Sequence, residues 1–241
     1  MGLPYDKYAS NDYLQHNPTW DIEDSPWKAV YVAKILRNVE FDIGTICEIG
    51  CGAGGVLAEL RHSYPQVKLY GYDIAPDAAR FWEKHEKSGI SFQVGDFFVL
   101  NQKHYDVILL LDVIEHVADP FTFLFKLHGM AKYYVFHIPL DLSASSVVRE
   151  RPLLNSRQEV GHINYFTKNL ALSLLKECNF EIIKWQYSGA AFNSPQRTWK
   201  TRLASFPRRF LYVVNKDWGV RILGGETLFI LAQDESPCDK N

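Results

Sequence analysis

Apolar residues fall along this chain in two alternating patterns. Short continuous runs at 45–49, 67–73, 90–94, 105–111 and 133–139 are rich in Ile, Leu, Val, Tyr and Phe. Runs of that length read as strands buried on both faces. Between them, over 26–36, 54–63, 76–87 and 120–130, apolar residues recur every three or four positions, the period of a helix with one buried face. Pro26, Pro76 and Pro120 stand at helix starts, where a missing N–H costs nothing, and Tyr64-Pro65 stops the second helix. A further amphipathic helix is predicted over 168–178, and further strands over 180–187 and 226–232. Strands alternating with helices predict an α/β fold, a mostly parallel sheet with helices on both faces.

The first strand runs into Glu48-Ile49-Gly50-Cys51-Gly52-Ala53-Gly54-Gly55 and the chain resumes as a helix. Glycines there let the backbone turn sharply and a ligand approach closely, and the helix start presents unpaired N–H groups to it. Gly50, Gly52 and Gly55 satisfy G-x-G-x-x-G, while Glu48 with Gly50, Gly52 and Gly54 satisfies the more restrictive E-x-G-x-G-x-G. Two more acids follow strand ends: Asp73 ends the second strand, and Asp96, followed by Phe97, lies just past the third. In an open parallel sheet, ligands bind beyond the carboxyl ends of the strands. A carboxylate at Asp73 suits the two hydroxyls of a ribose, and one at Asp96 suits an exocyclic amine, with Phe97 against a base.

Composition narrows the setting. The 241 residues are 47% hydrophobic with a net charge of −2, enough for a sizeable core and too little charge for a general attraction to nucleic acid. Four cysteines show no metal spacing and no disulfide pattern, residues 1–6 lack the marks of a leader, and no apolar run approaches a membrane span. A cytoplasmic setting is therefore expected. Residues 1–25, polar and aromatic, are expected as a lid or tail before a single domain over 26–241. Within it, 189–225 carries seven Lys or Arg against Asp217 alone, interleaved with aromatics, so a segment at +6 sits in an acidic chain. It reads as a helical cap or as a surface that touches membrane headgroups or an anionic acceptor.

Residues 48–54 resemble the first motif of the class I S-adenosyl-L-methionine-dependent methyltransferases. That resemblance implies a Rossmann-like, doubly wound seven-stranded sheet with an antiparallel last strand. It places Glu48, Gly50, Cys51, Gly52 and Gly54 at the methionine end of the cofactor, Asp73 and Ile74 at the ribose, and Asp96 and Phe97 at the adenine. Asp112, at the end of the fourth strand, would face the transferring methyl.

Asp112, Glu115 and His116 are spaced i, i+3, i+4, which puts them on one face if 113–117 forms a helical turn. His162 precedes a helix further on. This set is similar to the divalent-metal site of the ubiquinone-biosynthesis O-methyltransferases and of the small-RNA terminal 2′-O-methyltransferases, where Glu stands in place of Asp112. His116 and His162, with Asp112, are the catalytic candidates, as metal ligands or as bases for an acceptor hydroxyl; His137, at the fifth strand end, is a lesser one. The implied reaction moves a methyl to a small or lipid-like acceptor, most simply a hydroxyl oxygen. Gly50, Gly52, Gly55 and Asp73 also admit an NAD(P)-dependent oxidoreductase, against which stand Glu48 and the Asp96–Phe97 pair. A non-catalytic binding protein with the same pocket is the third reading.

Overall fold

The computed structural model describes residues 18–189, 211–212 and 214–235. Most of the predicted 1–25 lid, and residues 190–210 and 213 of the basic insertion, lie outside the described residues. The described chain builds one seven-stranded sheet from β1 (Thr45–Ile49), β2 (Lys68–Asp73), β3 (Ile90–Val94), β4 (Tyr105–Leu111), β5 (Ala131–Pro139), β6 (Phe180–Tyr187) and β7 (Thr227–Asp234). The order is β3-β2-β1-β4-β5-β7-β6. Strands β3 through β5 pair in parallel, and β7 lies antiparallel to both β5 and β6, as the resemblance implied. Strand order reverses between β1 and β4, which opens a crevice at their carboxyl ends.

Among the described residues, the helices of eight residues or more are α1 (Ser25–Leu36), α2 (Gly55–Ser63), α3 (Pro120–Leu127), α4 (Lys168–Glu177) and α5 (Lys216–Leu223). Successive strand residues point to opposite faces, so a strand covered on both sides must be apolar throughout. In β4, Val107 and Leu109 pack with Val32 and Ile35 of α1 and Leu57 and Leu60 of α2. Ile108 and Leu110 pack on the other face with Leu124 and Leu127 of α3 and Leu174 and Leu175 of α4. Each of these side chains is worth about 1.5–3 kcal/mol in burial, which makes the β1–β4 pair the rigid floor of the crevice.

The single helix expected over 76–87 is instead a 3-10 helix, Pro76–Phe81, and a one-turn helix, Glu83–Glu86. Trp82 stands at the break. It is buried, stacks on Phe92 at 4.9 Å, and donates its indole N–H to the Gly52 carbonyl at 2.8 Å. Seating that side chain outweighs continuing the helix. Among the described residues no helix is long and apolar enough to cross a membrane.

Candidate functional site

The crevice holds a cavity of about 540 Å³. All ten residues expected at the cofactor except Gly54 line it, together with Lys28 and Trp20 from the N-terminal side and His116, Phe98 and Phe123 from the other. Gly54 acts behind the loop: its φ is +75°, and a Cβ there would lie 2.6 Å from Phe92. The loop is pinned from beneath, since the Tyr72 carbonyl accepts the N–H groups of Gly50 and Cys51 at 2.8 and 3.1 Å. Gly50 and Gly52 also take positive φ, of 72° and 50°. The backbone thus lies bare toward the cavity.

Asp73 locks this loop to β2. Its Oδ2 accepts the Gly52 N–H at 2.7 Å and its Oδ1 the Ala75 N–H at 2.8 Å. Burial pushes its carboxyl up to about 6 against those two hydrogen bonds. Asp96 caps the short helix Phe97–Leu100 by accepting the Phe98 N–H at 2.8 Å. Phe97 is almost fully buried, edge-on to Tyr72 with ring centroids 5.1 Å apart, while Phe98 beside it is half-buried.

Glu48 is buried at the tip of β1, and its Oε2 has no hydrogen-bond partner among the described residues. Burial pushes its carboxyl up to about 8, against Lys28 and with the help of Asp73 and Asp112. An orphaned buried carboxylate facing a cavity is a vacant acceptor for a cationic or N–H group.

Asp112 stands outside the group that Glu115 and His116 form with His162. The expected turn forms as a 3-10 helix, Ile114–His116, but Asp112 precedes it in the left-handed region at φ 55°. Its carboxylate lies 2.8 Å from Lys28 Nζ and 2.7 Å from His137 Nδ1. Burial opposes its charge, yet His137 and Lys28 hold it well below the usual carboxylate range. The same pairing with Asp112 outweighs burial at Lys28 and keeps that ammonium charged. Lys28 is a site residue that the sequence did not single out, as is Phe98 in the cavity wall.

Glu115, His116 and His162 do come together, one ligand atom from each lying within 4.8 Å of the others. Glu115 is fully buried with neither oxygen hydrogen-bonded among the described residues, and Nε2 of His116 and of His162 each lie 4.0 Å from its Oε1. The Nδ1 of His116 faces the Gly161 carbonyl at 3.1 Å, and that of His162 faces Asp141 Oδ2 at 2.6 Å. Those acceptors hold hydrogen on Nδ1 and turn the Nε2 lone pairs toward Glu115, the arrangement that orients metal-bound histidines. Ligand atoms about 2.1 Å from a shared ion lie roughly 3–4 Å apart, so a small closure suffices. Burial, then Asp112, raise the Glu115 carboxyl well above its ordinary value, which a cation would reverse.

A sequence model described as a methyltransferase domain matches residues 27–184. The ubiquinone biosynthesis O-methyltransferase of Ruegeria pomeroyi is 27% identical over 146 residues, 53% of this chain and 54% of that protein. The chain spans about half the length of the first curated relatives it matches. Among solved structures, magnesium protoporphyrin IX methyltransferase from Synechocystis PCC 6803, with bound SAH, matches with a TM-score of 0.62 at 14% identity, covering 95% of this chain and 97% of that one. Human N-acetylserotonin methyltransferase in complex with SAM matches at 0.60 and 20% identity, covering 95% of this chain and 58% of that one.

Proposed function

Since the chain belongs to the methyltransferase-domain family, we propose that it moves a methyl group from S-adenosyl-L-methionine to a hydroxyl oxygen of a small or lipid-like acceptor. The observation that carries this reading is the lining of the cavity: Glu48, the bare loop and Asp73 on one side, with the Lys28–Asp112 ion pair between them and His116. Asp73 receives the ribose hydroxyls. The Lys28–Asp112 pair is complementary to an amino-acid zwitterion: Lys28 takes the carboxylate, while Asp112 and the orphaned Glu48 oxygen take the ammonium. Asp96 takes the adenine amine, and Phe98, the more accessible of the two rings, takes the adenine face along with Phe97. The bound cofactor supplies a methyl on a sulfonium, whose departure as a thioether needs no acid.

The chain's part in the transfer is to align the acceptor and exclude water. Glu115, His116 and His162 are proposed to hold a divalent ion. Their mixed carboxylate and imidazole set suits manganese, iron or zinc better than magnesium. A cation there would lower the pKa of an acceptor hydroxyl beside the methyl. Without one, the Nε2 lone pair of His116 or His162 takes the acceptor's proton instead. The Glu48 acid and the family match weigh against the nicotinamide-dependent reading.

The deciding experiment incubates the protein and S-adenosyl-L-methionine with a panel of catechols, phenols and their prenylated forms, and reads S-adenosyl-L-homocysteine formed. Turnover with a hydroxylated acceptor is expected. Tight binding of the cofactor with no turnover across the panel favours the non-catalytic reading.

A further inference from the structure

His137 lies outside the cavity lining and is 1% exposed, yet it is joined to Asp112 twice. Its carbonyl accepts the Asp112 N–H at 3.0 Å, and its Nδ1 lies 2.7 Å from Asp112 Oδ1. On its other side, Nε2 is 2.6 Å from Thr227 Oγ1, which is 2.6 Å from Ser188 Oγ. Ser188 Oγ lies 3.5 Å from Glu226 Oε2, and that oxygen also accepts the Gly189 N–H at 2.9 Å. Trp27 and Phe229 wall the ring, with centroids at 5.6 and 4.3 Å. A ring flip would turn carbon toward both polar partners, so the imidazole is held in one orientation.

The carboxylate also sets where the ring carries hydrogen. A carboxylate can only accept, so Asp112 Oδ1 at 2.7 Å keeps a hydrogen on Nδ1, and Thr227 Oγ1 is the polar partner of Nε2. Asp112 occupies a left-handed backbone that an L residue holds only where its surroundings fix it.

We propose that His137 and Thr227 are positioning residues for the amino-acid end of the cofactor. They aim the Asp112 carboxylate at Lys28 and keep it off the Glu115–His116–His162 cluster. The site is thereby divided into a salt-bridged half and a metal-binding half. This rests on the reading of the cavity given above, and it reaches two residues, on β5 and β7, that touch no ligand.

Thr227→Val tests it, because the substitution keeps the side-chain shape and deletes the hydroxyl that partners Nε2. Nε2 then has no polar partner, and the ring is no longer held in line with Asp112. Calorimetry with S-adenosyl-L-homocysteine is expected to show about tenfold weaker binding, the effect of one lost charge-assisted hydrogen bond, and Thr227→Ser is expected to restore it to within about twofold. In turnover, KM for the methyl donor rises while kcat stays near wild type. Thr227→Val that binds as wild type, or Thr227→Ser that fails to restore binding at an unchanged melting temperature, overturns the inference alone. Wild-type protein that fails to bind the product removes the reading of the cavity and the inference together.

Discussion

Both oxygens of Asp73 already serve the loop, and each keeps acceptor capacity for a ligand hydroxyl. Asp73→Ala is therefore expected to weaken cofactor binding by about 2–3 kcal/mol, read by calorimetry on folded protein. Unchanged affinity would remove Asp73 from the site. Glu48 makes a pH prediction. Its carboxyl stands near 8 in the folded chain against 4.5 in the open one, so the folded state binds the extra proton between those values. The stability this contributes is complete below about pH 4.5 and is lost as pH rises through 8, with a slope of at most about 1.4 kcal/mol per pH unit. Thermal melts of the ligand-free protein from pH 5 to 8 are expected to decline, and Glu48→Gln to flatten the decline. Glu48 and Asp73 were legible in the sequence because each ends an apolar run, where a carboxylate has few uses but a ligand. Lys28 was not, since a lysine on an amphipathic helix reads as solvated surface. The missed signal is its register: Lys28, Val32 and Ile35 follow one helical stripe, the one that is buried.

At the scale of elements, the strand–loop–helix unit around Gly54 is the most demanding. Gly54→Ala places a Cβ against Phe92 in a left-handed backbone and is expected to cost about 1–3 kcal/mol, measured by urea unfolding. The turn Ile114–His116 gains its partner from the stretch between β5 and α4, a series of short pieces: Ala144–Arg149, Arg151–Asn155 and the π-turn Ser156–Val160. Such pieces carry no period of their own, and they are held by distant bonds, such as the Ile163 and Asn164 N–H groups to the Glu115 carbonyl at 2.8 and 3.0 Å. His162 could therefore be picked out by residue type, but Asp141, which orients it, could not, because their pairing exists only in the fold. If these elements hold a metal, chelation is expected to abolish transfer without releasing the cofactor, and His162→Ala to mimic it. Full activity in excess chelator would leave His116 or His162 as the base.

For the molecule as a whole, the uneven charge is the feature that carries furthest. In α5, which closes the basic 189–225 segment, Trp218 is 59% and Ile222 39% exposed beside Lys216 and Arg221. Co-sedimentation with anionic vesicles is expected and should fall as salt rises, because exposed charges are screened over about 10 Å at 0.1 M. Equal, negligible pelleting with neutral and anionic vesicles would return this segment to a plain cap. The layered fold was legible because strand and helix periods alternate cleanly; the neighbours of β7 follow from its reversed direction, which no local pattern encodes. That reversal also governs how the protein is made. On a ribosome, β6 emerges some forty residues before β7, yet it touches β5 only through β7. Until β7 arrives, β5 presents an open edge, and Tyr134, Phe136 and Ile138 lack the strand they pair with. Chains halted before Thr227 are thus expected to be recruited by chaperones and to aggregate when those are withheld, whereas release of the last strand completes the sheet in one step.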